Sequence, residues 1–305
     1  MDNIYISTNQ RFTDQIKSQA PDLPKENILA EPAKRDLAAA VGLSLLRLKQ
    51  RGVEGTTAIL WADHFMKKPD NFRKALKQAE GLIQQDSKRV IFLAEEPGFA
   101  NENLGWIHLG DNIEDNVYEF AGWKYKPNQQ TCQKLFESGE WKWNPGYFVF
   151  DLDYCLELYQ KFQPEMYNKL KEMVGDEEKL SREYQNLKED SFDGAILEQM
   201  DNDQAVVLTV DLGWRDPGTL YALKEALTET REENLIRGDG KISIKDTEDS
   251  FIYNEESDKL TAVLGLEGTM VINTEDTFFV CSKDKIQEIK PLLKKLDQEG
   301  FEDHL

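Results

Sequence analysis

No run in this chain reaches the ~18 consecutive apolar residues of a membrane-spanning helix. Met1-Asp2-Asn3 leads into an apolar stretch, not into the basic start of a signal peptide. Cysteine is scarce: Cys132, Cys155 and Cys281 are odd in number and widely spaced, which fits neither a disulfide framework nor a zinc motif. Basic runs are lacking too. With 57 acidic against 37 basic residues the formal charge is -20, so the chain as a whole repels nucleic acid and anionic membranes. These absences leave a reduced, cytoplasmic globular protein as the expectation, with no nucleic-acid or membrane partner. Any phosphate ligand must then be held by local lysines, backbone N–H groups and a divalent cation.

What is present is ample core material. The 305 residues are 40% hydrophobic and 31% charged, with a mean hydropathy of -0.61. Thr57-Ala58-Ile59-Leu60-Trp61 reads as a strand covered on both faces, ending at Ala62-Asp63-His64. Ligands collect at the carboxyl ends of strands in open α/β sheets, which makes Asp63 a candidate metal ligand. An Asp in this place also serves as an ordinary cap or turn residue.

Around that stretch, strand-like and helix-like segments alternate. Ile4–Thr8 and Asn27–Ala30 read as strands. Asp36 is placed to cap a helix through Leu37, Val41, Leu45 and Leu48, and Arg89–Leu93 and Gln204–Val210 are further buried strands. This rhythm predicts an α/β fold with a doubly wound, mainly parallel sheet and right-handed crossovers, Rossmann-like in kind. After residue 230 short β-type runs replace the alternation, before an amphipathic helix through Ile286, Ile289, Leu292, Leu293 and Leu296. The expected division is residues 1–230 and a small β-rich domain with a closing helix over 231–305.

Asp216, beyond the buried strand that ends at Val210, pairs naturally with Asp63. Two strand ends can present two carboxylates to one Mg²⁺, which takes its other oxygens from phosphate and water. Lys126 could bring an ammonium group to an anionic oxygen, or be a surface lysine before the turn residue Pro127. Asn144, between Trp143 and Pro145, is an amide among aromatics, suited either to sugar hydroxyls or to a structural turn.

The segments Glu31-Pro32-Ala33-Lys34-Arg35-Asp36, Ala62-Asp63-His64, Trp143-Asn144-Pro145-Gly146-Tyr147-Phe148-Val149-Phe150, Ser191-Phe192-Asp193 and Gly213-Trp214-Arg215-Asp216-Pro217-Gly218 follow one another as in mannose-1-phosphate guanylyltransferases, which the chain resembles from Ile4 to its last helix. The resemblance implies a nucleotidyltransferase fold and transfer of GMP from GTP to mannose 1-phosphate, giving GDP-mannose and pyrophosphate with Mg²⁺. It implies that Asp63 and Asp216 bind the metal, that Lys126 meets the sugar phosphate, and that Gly105, Asn144 and Gly146 line the sugar pocket. Glu31, Arg35 and Asp193 fall in its substrate-binding segments, the first two on the nucleotide side. Another sugar-1-phosphate nucleotidylyltransferase, and a non-catalytic sugar-nucleotide-binding or regulatory subunit, are the alternative readings.

The departures are specific. Tyr125 stands where the family usually has Glu, Asn103 where it has a second glycine, and Asp36-Leu37 where it has Asn-Thr. The family's opening strand and Gly-Gly-x-Gly-Thr-Arg-Leu loop, whose backbone amides grip a triphosphate, find no match among the 305 residues. The expectation is therefore a domain missing its first strand and Gly-rich loop, with impaired turnover. A homodimer, or a partner that supplies the missing segment, is the expected assembly.

Overall fold

The segment from Asp36 to Gln50 is apolar around most of its circumference, and it forms a helix buried among other helices. Gly42 permits that packing, because a Cβ there would lie 2.9 Å from Leu170 Cδ1 and 3.0 Å from the Tyr159 ring. Tyr159 keeps its hydroxyl satisfied in the same interior by donating to the carbonyl of Ala38 at 2.7 Å. Each fully buried leucine of this helix contributes about 2 kcal/mol through apolar burial. The cap differs from expectation. Asp36 is the first helical residue, with φ +60, and its Oδ1 accepts the N–H of Leu37 next to it, while Arg35 occupies the cap position without a side-chain capping bond.

The computed structural model describes residues 1–301, the Gln287 side chain excepted. In chain order the elements are β1 (Ile6–Asn9), α1 (Thr13–Gln19), β2 (Ile28–Glu31), α2 (Asp36–Gln50), β3 (Thr56–Ile59), β4 (Phe65–Met66), α3 (Pro69–Gln85) and β5 (Val90–Glu95). Next come β6 (Gly105–Glu114), β7 (Val117–Tyr125), α4 (Gln129–Ser138), β8 (Trp141–Asp151), α5 (Leu152–Phe162), α6 (Pro164–Met173), α7 (Glu177–Glu183), α8 (Phe192–Ala195) and β9 (Ala205–Val210). The remainder holds β10 (Trp214–Arg215), α9 (Leu220–Leu227), β11 (Leu235–Arg237), β12 (Lys241–Lys245), β13 (Phe251–Asn254), β14 (Leu260–Leu264), β15 (Thr269–Asn273), β16 (Phe278–Ser282) and α10 (Ile289–Gln298). No helix among the described residues is long and apolar enough to cross a membrane.

Packing divides the chain into two units. The larger comprises Met1–Leu60 and Pro69–Asp211, the smaller Trp61–Lys68 and the chain from Leu212 onward. In the larger unit a six-stranded sheet runs in the order β3-β8-β5-β9-β7-β6, and β1 and β2 form a separate parallel pair. The α/β class is as expected from the sequence, but the sheet is mixed and not mainly parallel. Only β5–β9 is a parallel pair within it, whereas β8 runs antiparallel to β3, β5 and β6. The apolar runs that announce these strands carry no information on direction. A tight connection at Asp115-Asn116 with Asp115 at φ +36 turns β6 back on β7 as a hairpin.

In the smaller unit β11, β13 and β15 stack as parallel rungs, as do β12 and β14, with β16 closing antiparallel on β15. Ile252, Val263 and Val271 fill the interior. Asn254 donates to the carbonyls of Lys241 and Lys259 at 3.0 and 2.9 Å, and Asn273 one rung on donates to Asn254 Oδ1 at 2.7 Å. Such an amide ladder satisfies the polar groups that stacked corners would otherwise bury unpaired.

Candidate functional site

The smaller unit contains both expected metal ligands. Its β4 and β10 form a short antiparallel ribbon, Phe65 opposite Arg215 and Met66 opposite Trp214, and Lys67 and Lys68 extend it by donating to the carbonyls of Gly213 and Leu212. One step in the other direction sets His64 across from Asp216, with Asp63 in the turn just before. Asp63 and Asp216 are both exposed. His64 is half-buried, and its Nδ1 accepts the indole N–H of Trp214 at 3.1 Å, the rings meeting edge to face at 5.1 Å. Burial pulls the His64 pKa below its ordinary value, while the carboxylates of Asp216 and Asp63 both pull it back. The two aspartates, remote in sequence, thus converge on one imidazole.

Among the described residues no group of three or more His, Cys, Asp or Glu side chains is disposed to hold a metal. Two exposed carboxylates without a third protein ligand suit a hard cation that keeps water and phosphate oxygens, as Mg²⁺ does, and do not suit a closed structural metal site.

The larger unit groups the other expected residues in two places. At one end of β6, Gly105 lies opposite Tyr125 on one side and Asn144 on the other. A Cβ at Gly105 would stand 3.4 Å from Asn144 Cβ. Asn144 Oδ1 accepts the Gly146 N–H at 2.8 Å, kinking β8 at Asn144-Pro145-Gly146, where Gly146 takes φ +73 and the register against β5 shifts. Lys126 follows with φ +42, its ammonium 5.2 Å above the Tyr125 ring, which is 81% exposed. Trp143 and Tyr147, on either side of Asn144-Pro145-Gly146, are buried.

The second place lies at the end of β2. Glu31 accepts the Tyr184 hydroxyl at 2.7 Å, and burial, only partly offset by that bond, raises its pKa. Arg35 pairs with Glu189, and its Nε is buried without a hydrogen-bond partner among the described residues. Asp193 is also raised, first by burial and further by the nearby Glu198 and Asp36 carboxylates. Sequence reasoning missed Tyr184, which holds Glu31, and gave no role to Trp214, which holds His64, although Trp214 stands beside Asp216 in one of the resembling segments. No periodicity links either pair, and only the tertiary fold could reveal them.

Fold and residues together define a nucleotidyl transferase. Residues 1–233 match the Nucleotidyl transferase family model, and the chain belongs to that family. Residues 240–296 match the MannoseP isomerase/GMP-like beta-helix domain, which agrees with the stacked rungs of the smaller unit. Similar proteins include mannose-1-phosphate guanylyltransferase 2 of Escherichia coli O157:H7, 28% identical over 95% of this chain and 62% of its own length. Mannose-1-phosphate guanylyltransferase of Escherichia coli strain K12 is 28% identical over 98% and 64%. The chain thus spans about six tenths of the length of these curated relatives. Among solved structures, one from Thermus thermophilus, described as a mannose-1-phosphate geranyltransferase, superposes with a TM-score of 0.82 at 26% identity, over 95% of this chain and 83% of that one.

Proposed function

We propose that the chain is a mannose-1-phosphate guanylyltransferase that acts in the cytoplasm with Mg²⁺. In the reaction an oxygen of the mannose 1-phosphate attacks the α-phosphorus of GTP. The new O–P bond forms as the bond to the β-phosphate oxygen breaks, so GDP-mannose and pyrophosphate leave with all atoms accounted for. Asp63 and Asp216 would hold the cation, whose chemistry is to neutralise charge on the phosphates. Lys126 would place its ammonium against the sugar phosphate, with Asn144, Gly105 and Gly146 orienting the sugar. Glu31, Arg35 and Asp193 would border the nucleotide. Positioning, not a covalent intermediate, supplies the rate.

The observation that carries this reading is the β4–β10 ribbon, whose register sets Asp216 across from His64, the neighbour of Asp63. The other strong support is the likeness over nearly the whole chain to guanylyltransferases. Tyr125 and Asp36 bear on which sugar and base are taken, because a phenol and a carboxylate offer different hydrogen-bond partners from the family's Glu and Asn. The test is Mg²⁺-dependent turnover with GTP, UTP, dTTP and ATP, each against mannose 1-phosphate and glucose 1-phosphate. Preference for GTP with mannose 1-phosphate is the expected outcome, and preference for another pair would replace the substrate assignment.

A further inference from the structure

Asp249, in the turn before β13, is 4% exposed and holds φ +52, a backbone region costly for a side chain other than glycine. Its carboxylate accepts hydrogen bonds from Lys224 Nζ at 2.7 Å, from the Tyr221 hydroxyl at 2.7 and 2.9 Å, and from Lys283 Nζ at 2.5 Å. Arg231 Nε stands at 3.5 Å. Lys224 is fully buried and also donates to the carbonyl of Arg231. Tyr221 and Lys224 lie three residues apart on one face of α9, so a single carboxylate pins that helix to the stacked rungs.

Both cation-side segments are attached to α9. Asp216 belongs to the loop that runs directly into it, where Thr219 caps the helix by accepting the Ala222 N–H at 3.1 Å. At the other end Lys67, from the ribbon strand that follows Asp63, donates to the carbonyl of Thr228 at 2.7 Å, and Thr228 bonds back to Lys224 at 2.9 Å. A buried ionic cluster is a poor way to gain stability, since well-packed apolar residues do as well or better. A strained backbone at its centre adds to the cost. What such a cluster provides is one defined geometry.

We propose that Asp249 is a positioning residue for the Asp63 and Asp216 pair, acting through α9. This rests on the reading that the two aspartates bind a divalent cation. Asp249 touches neither substrate nor cation; it fixes the helix from which both carboxylate segments are suspended.

The test measures Mn²⁺ binding to the full chain, with free Mn²⁺ read by electron paramagnetic resonance. Asp249→Asn should raise the Mn²⁺ dissociation constant roughly tenfold, the size of effect seen when groups that orient ligands are removed. Tyr221→Phe, which keeps the three ion pairs of Asp249 with Lys224, Lys283 and Arg231 and so the fold, should raise it by a smaller factor. Asn254→Ala is the control: it breaks the amide ladder without removing any bond to Asp249, and should lower the melting temperature while leaving Mn²⁺ affinity alone. Melting temperatures lowered in Asp249→Asn and Tyr221→Phe with wild-type Mn²⁺ affinity would reduce Asp249 to a structural anchor and overturn the proposal. Wild-type affinity in Asp63→Asn and Asp216→Asn would instead overturn the cation reading, and the positioning role with it.

Discussion

The indole N–H of Trp214 donates to Nδ1 of His64 at 3.1 Å, which ties the strand before Asp216 to the turn that carries Asp63. With Nδ1 occupied as an acceptor, the proton of the neutral ring sits on Nε2. The bond closes the ribbon from its side chains as the β4–β10 ladder closes it from its backbone.

Trp214→Phe keeps an aromatic ring in this buried position and deletes that bond. A hydrogen bond of this kind contributes about 1 kcal/mol net, so the variant should unfold at a slightly lower urea concentration. The Mg²⁺ concentration for half-maximal turnover should rise as the two aspartates lose their tie. Urea midpoints and Mg²⁺ titrations check both. A variant identical to wild type in each would mean that the backbone ladder alone holds the ribbon.

Lys126→Ala removes the ammonium assigned to the sugar phosphate. The expected result is a KM for mannose 1-phosphate raised roughly tenfold or more, the scale of a charged hydrogen bond, with a smaller change for GTP. Initial-rate kinetics with each substrate varied in turn make the comparison. Equal losses for both substrates would move Lys126 to the nucleotide side.

Much of the architecture was legible because burial leaves a period in the sequence. The apolar faces of α2 and β5 are the ones that pack, and Val90–Ala94 of β5 are buried as their continuous apolar run requires, whereas the burial of Glu95 at its end is not announced by that run. Strand direction was not legible, since Val90–Glu95 would read the same beside a parallel or an antiparallel neighbour. The candidate site divides similarly. Asp63, Asn144 and Asp216 stand out as polar residues at the ends of apolar runs or among aromatics. The partners that fix the site, Tyr184, Trp214 and Asp249, act across distances in sequence that no local pattern spans. The 19-residue spacing from Asn254 to Asn273 is a sign of stacked rungs that patterns of single strands and turns do not reveal.

Glu31 offers a pH test. Burial raises its pKa in the folded protein, so holding it ionised costs stability. Its favourable contribution is complete below the unfolded value of about 4.3 and is lost as pH rises through the raised folded value. Glu31→Gln keeps an oxygen to accept the Tyr184 hydroxyl without the charge. The variant should therefore be more stable than wild type at pH 7 and no more stable at pH 4, while using GTP less well. Urea midpoints at the two pH values decide. A variant less stable at pH 7 would show that the carboxylate charge is needed for folding.

The last prediction concerns sheet edges. Among the described residues β1 pairs only with β2, and β3 pairs only with β8. Each strand therefore has a second edge whose N–H and C=O groups meet no strand, and such edges invite association. The 305 residues also contain no Gly-Gly-x-Gly-Thr-Arg-Leu stretch to present backbone amides to a triphosphate. With a formal charge of -20, these residues meet GTP with little beyond lysines and Mg²⁺ to offset repulsion. Assayed by themselves they should associate in size-exclusion chromatography and synthesise GDP-mannose slowly. A strand and Gly-rich loop of the family type, fused before Met1 or added as a separate peptide, should reduce the association and raise turnover together. Fast Mg²⁺-dependent synthesis by the 305 residues alone would mean that other groups grip the triphosphate. In that case the buried Nε of Arg35 is the first place to look.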